Sequence, residues 1–175
     1  ECLTALRSAL GPGFADLTIS WGDTPSCSLA GQTYGENEWR PGNYVFYDLT
    51  QAAIGSCTIE DIAVCVAAPL VALHPERGEA VLHAGAVHLS AEAAQDEQGR
   101  RHFGRVVYLD EKKGWSLPVE EIFVRRISQE HGVIQAGKAW LRERKAGELL
   151  GVLPVHSCLT VDLLRHDQPL IVPPV

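Results

Sequence analysis

The chain has 175 residues, 46% of them hydrophobic and 21% charged, with a net charge of −7 and an isoelectric point near 5.4. That suffices for one good core, or one domain plus a piece of another, and scattered Lys and Arg exclude the basic face a nucleic-acid partner needs. No stretch approaches the roughly 18 apolar residues of a membrane span and no signal-peptide pattern opens the chain, so a soluble, cytoplasmic protein with no membrane partner is expected.

In chain order, residues 2–10 carry apolar positions at helical spacing, and Gly11-Pro12-Gly13 stops the helix. The chain lacks Met and opens at Glu1 inside that helix, which suggests the C-terminal portion of a longer protein. "FADLTISWG" then reads as a short strand running into Gly22, followed by the polar loop "DTPSCSLAGQTYGENE". Helix, strand and small-residue loop make one unit of a parallel α/β domain, in which ligand loops follow strand ends.

From Trp39 onward the texture changes. "RPGNYVFYDL" is strand-like, and "CTIEDIAVCVAAPLVALHPERGEAVLHAGAVHLS" gives β-branched runs broken by a turn at "HPERGE". "RRHFGRVVYLDEKKGWSLPV", "IFVRRISQEHGVIQAG" and "LLGVLPVHSCLTVDLL" continue with short strands and Gly-bearing turns. The fold class expected is mainly β, an antiparallel barrel or sandwich over roughly residues 40–175.

Three segments carry chemistry. "SWGDTPS" offers Gly22, Thr24 and Ser26 after a strand, where amides and a hydroxyl can converge on a phosphate, although Asp23 would oppose an anion if it pointed inward. "RPGN" places Gly42 and Asn43 at a strand start, Gly allowing close backbone approach and the Asn amide able to donate to an oxyanion. His156 and Cys158 are i and i+2, which in a strand share one face, and imidazole with thiolate suits Zn²⁺. The five cysteines are odd in number and irregularly spaced, without CxxC, which argues against a disulfide scaffold.

Taken together, "GDTPS", "RPGNYVFYD", "IGSCTIEDIA", "GAVHLS", "SQEHG" and "LPVHSCLT" resemble the D-serine dehydratase and D-threonine aldolase family. Its members are fold-type III pyridoxal-phosphate enzymes related to alanine racemase. The resemblance implies that residues 1–36 are the last elements of a cofactor-bearing (β/α)8 barrel and residues 37–175 a β-domain. It implies that Thr24, Gly42 and Asn43 bind the pyridoxal 5'-phosphate, and that His156 and Cys158 hold Zn²⁺. The Lys that would carry the cofactor as a Schiff base has no counterpart in this chain, so the chain alone should be inactive. The aldolases place Asp at the second metal position, so Cys158 favours a dehydratase that eliminates the hydroxyl of a small D-amino acid. A homodimer is also implied. His131 of "SQEHG" either orients a neighbour of the metal or caps a strand end, and one of each pair among Tyr44 to Tyr47 should face the core. Competing readings are a D-threonine aldolase, an amino-acid racemase and a non-catalytic β-barrel module.

Overall fold

Two kinds of strand pairing divide the protein, whose computed structural model describes residues 2–31 and 37–167. The N-terminal part runs α1 (Cys2–Leu10), β1 (Ser20–Trp21), α2 (Thr24–Leu29) and β2 (Glu38–Trp39), after which come turns. β1 and β2 pair in parallel, Ser20 opposite Glu38 and Trp21 opposite Trp39. The helix at 2–10 ends as expected, with Gly11 at φ 88°. The expected polar loop is in part a helix, because the Asp23 side chain caps α2 by accepting from the Ser26 amide at 2.7 Å. Its portion at 32–36, like residues 168–175 of the expected β-domain, lies outside the described residues.

The remainder runs α3 (Leu49–Ala53), β3 (Val66–His74), β4 (Glu79–Leu82), α4 (Ala86–Leu89), β5 (Ala94–Gln95), β6 (Arg101–His102), β7 (Gly104–Val107), β8 (Leu109–Asp110), β9 (Gly114–Trp115), β10 (Phe123–Ile127), β11 (Gly132–Gln135), α5 (Lys138–Arg142), β12 (Leu149–Pro154) and α6 (Ser157–Leu163). Six strands close into an antiparallel barrel in the order β10-β11-β4-β3-β12-β7, the mainly β architecture the strand runs imply. Closure leaves no unpaired edge. Register shifts between Leu70 and Ala72 and between Val124 and Arg126 bend β3 and β10. The interior is filled by alternate residues: Ala68 and Leu70 from β3, Ala80 and Leu82 from β4, Val124, Ile134, Leu150 and Val152.

β12 is buried on both faces, and this positions the site. Leu150 and Val152 enter the barrel, while Leu153 packs outward with Leu49, Ile62 and Val107. At Gly151 a Cβ would lie 2.5 Å from Val107 Cγ2 and 2.6 Å from Cys65 Sγ, so only glycine lets the 47–65 segment lie this close on the barrel. Cys65 is a packed hydrophobe whose thiol burial pushes up to about 12.

One expected strand is absent. Residues 42–46 form a turn in which the Phe46 and Tyr47 amides both donate to the Asn43 carbonyl, at 3.3 and 2.8 Å. Tyr47 sits at φ 46°, outside the range of a strand. The alternation expected of Tyr44 to Tyr47 fails for the same reason: Tyr44 and Val45 are exposed, Phe46 and Tyr47 half-buried. No helix among the described residues is long and apolar enough to cross a membrane.

Candidate functional site

The site begins where β12 ends. His156 is the N-cap of α6 and Cys158 lies in its first turn, so the pair straddles a strand-to-helix junction and not the interior of a strand. Ser157 between them is wholly buried, its Oγ donating to the Tyr47 carbonyl and its amide donating to Asp48 Oδ2 at 3.1 Å. His156 and Cys158 are both half-exposed, on either side of that anchor.

Asp48 is the hub that sequence reasoning missed. It is 1% exposed and accepts three N–H groups: Gln51 at the start of α3 at 2.8 Å, Ser157, and the side-chain Nδ2 of Asn43. Hydrogen bonds to a charged acceptor contribute about 1.5–3 kcal/mol each, which compensates for burying the carboxylate. Thr50 Oγ1 adds a bond to the Val155 carbonyl at 2.9 Å. Segment 43–51 is thereby clamped to residues 155–157.

The clamp brings the expected residues into one neighbourhood. Asn43 N donates to Thr24 Oγ1 at 2.9 Å, and both residues are buried. Cys158 Sγ lies 3.8 Å from the Gly42 carbonyl. Thr24, Gly42, Asn43 and Cys158 therefore form one connected set, and His156 is two residues away on the same junction. Asn43 serves differently from expectation, because its side-chain amide is committed to Asp48. The groups left to meet an anion are the Thr24 hydroxyl hydrogen and the Gly42 amide, which donates to nothing among the described residues. A Cβ at Gly42 would meet nothing within 4 Å, so the space above it is open. Asp23 turns away toward Ser26 and the Trp21 indole N–H, and those bonds hold its carboxyl below the usual range.

Glu92 completes the arrangement: its Oε2 is 2.8 Å from His156 Nδ1. A carboxylate on Nδ1 fixes the tautomer and leaves Nε2 as the ligating lone pair. Burial, and then the Asp48 carboxylate, push the Cys158 thiol upward, so it stays protonated until a cation draws off the proton. Imidazole nitrogen plus sulfur is a donor set suited to Zn²⁺, with positions left open for other ligands. Hydroxyl, amide and open space over Gly42 suit the phosphate of pyridoxal 5'-phosphate.

His131 lies against other histidines. Its ring centroid is 5.6 Å from that of His83, which is 5.0 Å from His88. Its "SQEHG" segment forms the turn on which α4 rests, Ser128 and Gln129 carbonyls accepting from the Ala86 and Val87 amides. Among the described residues no group of three or more His, Cys, Asp or Glu is set to hold a metal.

The chain overlays on solved structures. An alanine racemase-like protein from Idiomarina loihiensis matches with a TM-score of 0.77 at 26% identity, over 91% of this chain and 41% of that one. The D-threo-3-hydroxyaspartate dehydratase of Delftia sp. HT23 matches with a TM-score of 0.73 at 30% identity, over 91% and 42%. A barrel of this topology is that of the alanine racemase-like, fold-type III β-domain. More narrowly, residues 63–168 match the family model "Putative serine dehydratase domain", and the chain belongs to that family. The D-serine dehydratase of Dictyostelium discoideum is 34% identical over 156 residues, covering 85% of this chain. The chain spans only 38% of that relative's length. Of the Delftia enzyme, a histidine-to-alanine variant has been solved, and a cysteine-to-alanine variant, altered two positions further on, in the metal-free form.

Proposed function

We propose that the chain is the C-terminal part of a pyridoxal-phosphate- and zinc-dependent lyase that removes water from small D-3-hydroxy amino acids, D-serine foremost, giving a 2-oxo acid and ammonia. The observation that carries this reading is the 3.8 Å approach of Cys158 Sγ to the Gly42 carbonyl, which joins the His-x-Cys pair to the Thr24–Asn43 loop. Metal and phosphate sites built on one clamp would hold a substrate's hydroxyl and its cofactor-bound carbon in fixed register.

Each residue has a part. Thr24 Oγ1, held by the Asn43 amide, would turn its hydrogen to a phosphate oxygen, and the Gly42 amide would donate to another. Asn43 and Asp48 position that loop. His156, oriented by Glu92, and Cys158 would ligate the ion. Zinc supplies a Lewis acid for the departing hydroxide, a poor leaving group, and pyridoxal phosphate supplies an electron sink at the α-carbon. Cys158 favours the dehydratase over an aldolase with a harder metal. The metal-free cysteine variant of the Delftia dehydratase supports the same assignment. We read residues 1–36 as the end of the cofactor barrel, residues 37–175 as the β-domain, and the complete protein as a cytoplasmic homodimer.

The test uses the full-length protein with Cys158→Ala. Zinc content measured by mass spectrometry should drop and release of 2-oxo acid from D-serine should collapse. Stoichiometric zinc together with an unaltered rate refutes the reading.

A further inference from the structure

A cavity of about 510 Å³ opens between α3 and the β5–β6 hairpin, within the size range of small-molecule sites. Its apolar wall is Leu49, Ala52 and the Phe123 ring. His102 lines it, is only 3% exposed, and its Nδ1 has no hydrogen-bond partner among the described residues. Arg105, on the same wall, has a buried Nε without a partner. Polar atoms left this way are costly, and both side chains border the cavity.

The charges say what kind of ligand. The guanidinium of Arg105 lies 5.5 Å from the Phe123 centroid, and the His102 ring 5.2 Å from it. Arg100 spends its charge on Asp96 and Glu121, both at 2.6 Å. Among the described residues Arg105 has no such carboxylate, and exposed Glu97 and Glu120, also lining the cavity, have no cation. One unspent cation inside and carboxylates outside would repel a dianion at the entrance, yet complement a molecule carrying one carboxylate and one ammonium.

We propose that this cavity binds a small zwitterion of amino-acid type, its carboxylate on Arg105 and His102, its carbon body against Leu49, Ala52 and Phe123, and its ammonium toward Glu97 and Glu120. The cavity borders the clamp segment at Leu49 but is lined by none of the residues that make its hydrogen bonds. The proposal is independent of the lyase reading, and no bond is made or broken.

Calorimetric titration of the protein tests it, with L-alanine, propionate and ethylamine as probes that separate the two charges. L-alanine should bind, and the other two should bind at least about tenfold more weakly. Arg105→Met keeps an aliphatic stem over Phe123 and should weaken L-alanine on the order of ten- to a hundredfold. Glu97→Gln with Glu120→Gln, both at the exposed rim, should weaken L-alanine while leaving propionate unchanged. No heat from L-alanine at millimolar concentration overturns the proposal. So does binding unaltered in Arg105→Met, and so does propionate binding as tightly as L-alanine.

Discussion

The barrel interior and the clamp at 43–51 and 155–157 are both buried, yet they hold together by opposite means. The interior is aliphatic and non-directional, so it specifies that the strands close but tolerates shape changes in its side chains. The clamp is a buried carboxylate with three donors, two hydroxyl-to-carbonyl bonds and short distances, so it specifies where atoms lie. Stability should therefore reside mainly in the first region and geometry in the second.

Substitutions can break that contrast. Leu150→Ala, at a wholly buried position in the barrel, should cost about 3 kcal/mol in urea unfolding while leaving zinc content of the folded protein intact. Loss of zinc along with stability would show that the two regions are not separable. Asp48→Asn should cost somewhat less, about 2–3 kcal/mol, because an amide cannot satisfy three donors, but should lose zinc and cofactor affinity as well. An Asp48→Asn protein that keeps both ligands would reduce the clamp to ordinary packing. A smaller effect comes from acid. Burial, chiefly, holds the His102 imidazole below its ordinary 6.5, so the unfolded chain takes up a proton there first. That stability is complete above about pH 6.5 and is lost as pH falls through the lower folded value. Unfolding midpoints between neutral and mildly acidic pH should flatten in His102→Gln. Least of all, Cys158→Ser should shift stability by under about 0.5 kcal/mol, since the thiol is half-exposed, yet weaken zinc binding.

The same contrast explains what could be read from the chain. Runs such as "VAAPLVALH" and "LLGVLP" announce strands by composition, and their closure into a mainly β unit follows from local pattern. His156, Cys158, Thr24 and Gly42 were legible as a motif set. The turn at 42–46 was not, because its alternating aromatics imitate a strand while Asp48 and Tyr47 are held by residues about a hundred positions later. Asp48 and Glu92 are unremarkable letters locally, and only their distant partners Ser157 and His156 distinguish them. A strand geometry for His156 and Cys158 was the wrong local form, since the pair lies past the end of β12, at the start of α6.

The Asp48–Ser157 bond spans 109 positions and the Cys158–Gly42 contact 116. Such closures are late events in folding, because the intervening chain must be ordered before they repay their entropy. During synthesis the turn at 42–48 emerges long before its partner, with Asp48 solvated and the loop unconstrained. The pocket is thus finished only when the last strand seats, and a ribosome-bound or C-terminally clipped molecule could own a nearly complete barrel wall and still lack the junction that brings Cys158 to Gly42.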